Sequence, residues 1–434
     1  MTSSEQPAGA PADPSGGVGP LAGARILDLT TVVMGPLATR ALADMGADVI
    51  RVEPPAGDFM RDFEPKRSPG MSGFSMNVNR NKRSVVLDLK IDAGRDALLD
   101  LAETADAFVT NLRPRALRSL RLTDEDLRAR RADLVYCSAT GFGSDGPYAD
   151  KAAYDDVIQA ASGMASMFSW LDDEPAYIPS VIADKIASLH ITYSVIAGLY
   201  HRAVTGRGDF IEVPMAESLA SFNLVEHLQG HTFEPPVGDF SYKRLLTKHR
   251  RPRRSADGWV CLLPYSDENW RDFFRLTGLE EYADDPRFAT VNARVQNVDA
   301  LYGLLEGVTT SRTTAEWMQV CDDHSIPAAP VVDLVDIGDD PHFDAVGLIE
   351  HHDHPTEGPY RVVRSPIKFR SGDPGLFQQV ATLGQHNREV LAEIGYDQAK
   401  IDAATPTGAA TTTNQASPAD PSDSVNPPTP NSGS

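Results

Sequence analysis

The sequence is poor in cysteine. Three cysteines among 434 residues, Cys137, Cys261 and Cys321, stand far apart with no C-x-x-C pair. That excludes a disulfide framework and the usual zinc spacings, and it fits a reducing cytoplasm. Long apolar runs are also missing. No stretch reaches the roughly 18 residues of a spanning helix, so no membrane partner is expected. The opening "MTSSEQPAGAPADPSGG" has no basic end followed by an apolar run, and does not read as a secretory signal. Positive charge is scarce: 40 Lys and Arg face 61 Asp and Glu, a net charge of -21. A nucleic-acid partner needs clustered cations and is not expected. The closing "PTGAATTTNQASPADPSDSVNPPTPNSGS" supplies only Asp420 and Asp423 to that excess. The acid therefore sits on the folded body, and an anionic substrate would need a locally basic pocket. No G-x-S-x-G marks a serine hydrolase.

What is present is a repeating α/β pattern. "ARILDLT" reads as a buried strand, "GPLATRALADMGA" as a helix, and "DVIRVEPP" as a second strand stopped by prolines. The alternation returns through "RSVVLDLK", "AGRDALLDLAETA", "DAFVTNL", "TDEDLRARR" and "ADLVYCSATGFG". It predicts an open, mostly parallel sheet with helices on its faces. Residues 185–204 form the longest predicted helix, with Ile186, Leu189, Tyr193, Ile196 and Tyr200 on one stripe. After "GHTFEPPVGDF" a smaller α+β module is expected up to residue 335, with a strand in "GWVCLLPY". The tails, residues 1–22 and 403–434, are rich in Ala, Pro, Ser and Thr and are expected to be disordered.

Several motifs admit two readings. "GFGSDG" has G-x-G-x-x-G spacing, but Pro147 and Tyr148 follow where a dinucleotide site needs a helix. A tight turn suits it better. Glu53 is either a ribose-binding acid or a strand-end charge before Pro54. "HHDH" (residues 351–354) lacks a nearby cysteine and reads as a solvated loop, so no metal is expected. "KHRRPRR" (residues 248–254) is a solvated loop or a clamp for phosphate or carboxylate. Asp184, in "PSVIADKIASLH", is a helix N-cap or a nucleophile that the helix dipole keeps ionised.

Five segments in order, "ILDLTTVVMGPLATRALADMGADVIRVEPPAGD", "NRNKRSVVLDLK", "VTNLRPRAL", "GFGSDGPYADKAAYDD" and "TGRGDFIEVPMAES", resemble the class III CoA-transferase family, the formyl-CoA and carnitine CoA-transferase (CaiB/BaiF) group. The resemblance runs from about residue 23 to 398. It implies a Rossmann-like large domain made of residues 23–235 and 336–402, a small domain of residues 236–335, and an interlocked homodimer. It implies CoA thioesters as substrates, with no tightly bound cofactor. Asp184 falls on the family's nucleophile: it would attack a donor acyl-CoA and pass through an aspartyl-CoA thioester to a carboxylic acid acceptor. CoA contacts fall on Val32, Val33, Pro54, Leu87 through Lys90, Asn111, Leu112, Arg113, Ala153, Tyr154 and Asp155. Lys90 and Arg113 would pair with phosphates, and Tyr154 would line the thioester pocket.

The chain also departs from the family. Val33 replaces the glutamine of formyl-CoA transferases, and "RRPRRSADGWVCLLPYSD" replaces their glycine-rich loop. Ser119 stands for an arginine of the CoA site. The group includes α-methylacyl-CoA racemases, whose catalytic histidine falls at Tyr154. A phenol is a poor base for α-proton removal, which makes racemase, or a non-catalytic CoA-binding protein, the alternative. Arg253 and Arg254 suggest an acceptor with a second carboxylate.

Overall fold

The computed structural model describes residues 19–370, 372 and 374–405. Most of both tails lies outside the described residues. The parts inside are ordered: Leu21 donates to the Met45 carbonyl, and the last helix, Gln398–Ala404, runs past residue 403.

Six strands form one sheet: β1 (Arg25–Leu29), β2 (Asp48–Glu53), β3 (Lys82–Val86), β4 (Ala107–Thr110), β5 (Val135–Thr140) and β6 (Phe210–Pro214). Their order is β3-β2-β1-β4-β5-β6 and every pair is parallel. A parallel sheet is covered on both faces, so its strands read as continuous apolar runs. Side chains nonetheless alternate. Ile26, Val49, Val109 and Cys137 pack on one face with the helices Met34–Asp44 and Ile182–Thr205. Leu27, Ile50, Phe108 and Tyr136 pack on the other with the helix Asp92–Thr104. Val390, Leu391 and Ile401 from the chain's far end join this second face. There Asn387 Oδ1 accepts the Val86 N–H at 2.7 Å and His386 Nδ1 accepts the Ser84 N–H at 3.1 Å, so the β3 edge is covered.

The long helix differs from its expected form in two ways. It begins at Ile182, and its buried face is Ala183, Ile186, Ala187, Ile191 and Val195. Of the stripe read from the sequence only Ile186 is buried; Leu189, Tyr193 and Tyr200 are 65%, 56% and 72% exposed. Ala183, Ala187 and Gly198 let this helix lie close on the sheet, while Leu189, Tyr193 and Tyr200 face outward.

A second module has its own core of Trp270, Phe273, Phe274, Leu301 and Trp317. Its sheet is β7 (Arg253–Arg254), β8 (Trp259–Leu262) and β9 (Ala328–Pro330), all antiparallel. A hairpin follows, β10 (Ile349–His354) with β11 (Gly358–Val363). The "HHDH" segment is thus strand, not loop, and its last residue, His354, is buried against the Val380 carbonyl.

Candidate active site

The strand order reverses between β1 and β4, which opens a crevice at their carboxyl ends. A cavity of about 540 Å³ lies there. The segment after β1 (Thr31, Val32, Met34), the segment after β4 (Asn111 to Arg113), Gly141 after β5, and Lys151, Ala153, Tyr154, Asp184 and Met215 line it. Asn111 ties the two loops together. Its Oδ1 accepts the Thr31 N–H at 2.9 Å and its Nδ2 donates to the Thr31 carbonyl at 2.9 Å.

Asp184 does not cap its helix. Val181 is the N-cap, with no side-chain hydrogen bond, and Asp184 sits in the first turn, third from the start. The Asp184 N–H donates to Asp155 Oδ2 at 3.0 Å, while Asp155 Oδ1 accepts from Gln159 Nε2 at 2.7 Å. Asp155 is therefore occupied by the helix start and is absent from the cavity wall. Nor is the Asp184 carboxyl held in its ordinary range by the helix end. Burial, and next the Asp155 carboxylate, push its pKa up to about 7, against a lowering hydrogen bond from the Met34 N–H. A partly desolvated carboxylate keeps more nucleophilic character than one paired with a cation.

The cavity rim is basic. Arg113, Arg115 and Lys151 line it. Lys151 Nζ lies 3.5 Å above the Tyr148 ring. The body's acid excess is thus locally reversed.

The cavity gathers Val32, Asn111, Leu112, Arg113, Ala153, Tyr154 and Asp184 from the expected set. The other expected contacts, Asp155 among them, lie off its wall. Leu87 is wholly buried in the second core face. Val33 is buried as the N-cap of the helix Met34–Asp44. Pro54 and Lys90 are exposed in the segments after β2 and β3 and do not line the cavity. Conversely Thr31, Arg115, Ala116, Lys151, Gly141 and Met215 line the cavity without having been expected to. Ser119 also lines it. "NLRPRAL" carried a signal for Arg115, since a helix beginning at Pro114 turns residues 115, 116 and 119 to one side.

The other candidates resolve structurally. Gly141, Gly143 and Gly146 form a turn, and a Cβ on Gly141 would meet the Ala153 Cβ at 2.4 Å. Glu53 is buried between Arg51 and Arg61, which hold its pKa down to about 2. Arg253 is buried and donates to the Tyr302 carbonyl at 2.9 Å and to that of His249, so it is not a free substrate clamp. Arg254 stacks on Trp259. Among the described residues no group of His, Cys, Asp and Glu could hold a metal ion, and no helix is long and apolar enough to cross a membrane.

Known proteins resemble the chain in sequence and fold. The family model "CoA-transferase family III" matches residues 21–387. The chain is 31% identical over 390 residues to succinyl-CoA:glutarate CoA-transferase of Mus musculus, covering 88% of each. It is 31% identical over 393 residues to formyl-CoA:oxalate CoA-transferase of Streptomyces avermitilis, covering 86% of this chain and 95% of that one. A crystal structure of a CaiB/BaiF family protein from Brucella suis superposes with a TM-score of 0.73 at 30% identity, over 87% of this chain and 100% of that one.

Proposed function

The chain belongs to CoA-transferase family III, and on that premise we propose that Asp184 is the nucleophile that carries CoA from a donor acyl-CoA to a carboxylic acid. The observation that carries this reading is the Asp184 carboxyl on the wall of a basic-rimmed cavity at the sheet's switch point. An Asp184 oxygen attacks the donor thioester carbon, the C–S bond breaks, and a mixed anhydride and CoA thiolate result. The thiolate attacks the aspartyl carbonyl, releasing the donor acid and leaving aspartyl-CoA. The acceptor carboxylate displaces the thiolate, which then attacks the acceptor-derived carbonyl and frees Asp184. Each step exchanges one acyl bond for another, so no water or redox partner is consumed.

Arg113, Arg115 and Lys151 suit the phosphates of CoA, whose binding energy keeps the thiolate in place between steps. We take the acceptor to be a dicarboxylate. The relatives named for glutarate and oxalate support that class. The interlocked homodimer and the division into two domains belong to the same proposal; the exposed apolar stripe of Leu189, Tyr193 and Tyr200 supports a second copy packing there. Asp184→Ala should abolish transfer between succinyl-CoA and glutarate while the protein elutes unchanged in size. A variant with normal turnover would refute the nucleophile.

A further inference from the structure

Three separate contacts shape the segment that faces Asp184. Asn111 holds Thr31 at both its N–H and its carbonyl. Asp58 Oδ2 accepts the Val32 N–H at 3.0 Å. Met34, two residues on, lines the same cavity wall as Asp184, and its N–H favours the ionised Asp184 carboxyl. Val32 lies between these contacts with φ 69°, in the left-handed region. A β-branched residue seldom adopts it, so the surroundings must impose it.

Asp58 is not on the cavity wall. It is buried below, on the turn after β2, where its Oδ2 also accepts from Arg51 Nη2 at 2.7 Å and its Oδ1 caps a short helical turn through the Met60 N–H at 2.9 Å. Arg51 is itself buried in β2 and bound to Asn79. The Val32 anchor therefore rests on the sheet interior rather than on a mobile surface group. If the Val32 N–H is released, valine relaxes toward negative φ. The peptide plane after it turns, and the Met34 N–H two residues on loses its aim.

We propose that Asp58 is a positioning residue for the transfer reaction: by gripping the Val32 amide it keeps the segment in the left-handed turn that aims the Met34 N–H at the Asp184 carboxyl. It touches neither substrate nor Asp184. It acts through one strained peptide, as a fixed support for a reactive group whose geometry must be kept within a fraction of an ångström. The inference rests on Asp184 as the nucleophile.

The test compares wild type with Asp58→Ala, Asp58→Ala/Val32→Gly and Val32→Pro in transfer from succinyl-CoA to glutarate. Losing one donor to a charged nucleophile lowers kcat by about tenfold or more, with KM for succinyl-CoA changed by less than about threefold. Glycine occupies φ 69° without strain, so the double variant recovers most of the kcat that Asp58→Ala loses. A residue that only stabilised the fold would not be rescued by a glycine in the cavity loop. Val32→Pro forbids positive φ and removes the N–H while leaving the Arg51–Asp58 pair intact, and it loses kcat in the same way. If Asp58→Ala does not fold, Val32→Pro decides alone. Wild-type kcat in either single variant, or a folded Asp58→Ala that Val32→Gly does not improve, overturns the proposal. Wild type trapped with hydroxylamine in the same samples keeps the two readings apart. No Asp184 adduct there strikes the nucleophile itself, whereas an adduct together with an unimpaired Asp58→Ala strikes Asp58 alone.

Discussion

Replacing Asp184 by asparagine should stabilise the protein while ending its activity. Folding moves the carboxyl from an ordinary pKa of 3.8 to about 7, chiefly by burial and next by the Asp155 charge. The folded state thus binds this proton more tightly than the unfolded chain, the reverse of a salt-bridged aspartate. Below pH 4 the group is protonated in both states and costs nothing. As pH rises from about 4 to 7 the unfolded carboxyl ionises freely and the folded one does not, so stability is lost; above about 7 the loss is constant. The full shift corresponds to about 4 kcal/mol, and the open cavity reduces this to about 1–3 kcal/mol. Asparagine keeps an oxygen for the Met34 N–H but cannot ionise. Urea unfolding of Asp184→Asn and wild type at fixed protomer concentration, at pH 4 and pH 8, measures the difference. The variant's advantage should be about 0.5 kcal/mol at pH 4 and grow to about 1–3 kcal/mol at pH 8. An equal difference at both pH values would refute the assignment of the shift to a buried carboxylate.

The rim and the basic run make two further predictions. Arg113→Ala should raise KM for succinyl-CoA about tenfold with little change in kcat, because a phosphate contact binds ground and transition states alike; equal loss in kcat would move Arg113 into the chemistry. Arg253→Ala should lower stability by about 2 kcal/mol, since it leaves the carbonyls of His249 and Tyr302 without their buried donor, and should leave KM for glutarate unchanged. A raised glutarate KM at unchanged thermal stability would restore Arg253 as a substrate clamp.

The sheet was legible because buried parallel strands are short apolar runs, and a βαβ alternation spells their order. The start of the long helix was not. Its N-cap is Val181, which makes no side-chain hydrogen bond and leaves no polar signature, so Asp184 read as a cap three residues too late. The outward stripe of Leu189, Tyr193 and Tyr200 was legible as a stripe, but helical spacing does not distinguish a core face from a face turned to another surface. The cavity was half legible. Asn111, Leu112 and Arg113 follow β4 directly and Val32 follows β1, and strand ends at a switch point are where ligands collect. Leu87 also follows a strand, but β3 is at the sheet edge and its end turns inward to the core. Lys151 and Met215 come from distant segments that only the fold brings together. The buried Arg51–Asp58 support left no trace in local periodicity, because its partners belong to β2, a turn and the cavity loop.

The nucleophile is tested most directly by peptide mass spectrometry of the wild-type protein after incubation with succinyl-CoA and hydroxylamine. A hydroxamate or CoA adduct is expected on the peptide that contains Asp184, at that residue. Turnover of succinyl-CoA with Asp184 unmodified at every time point would contradict it.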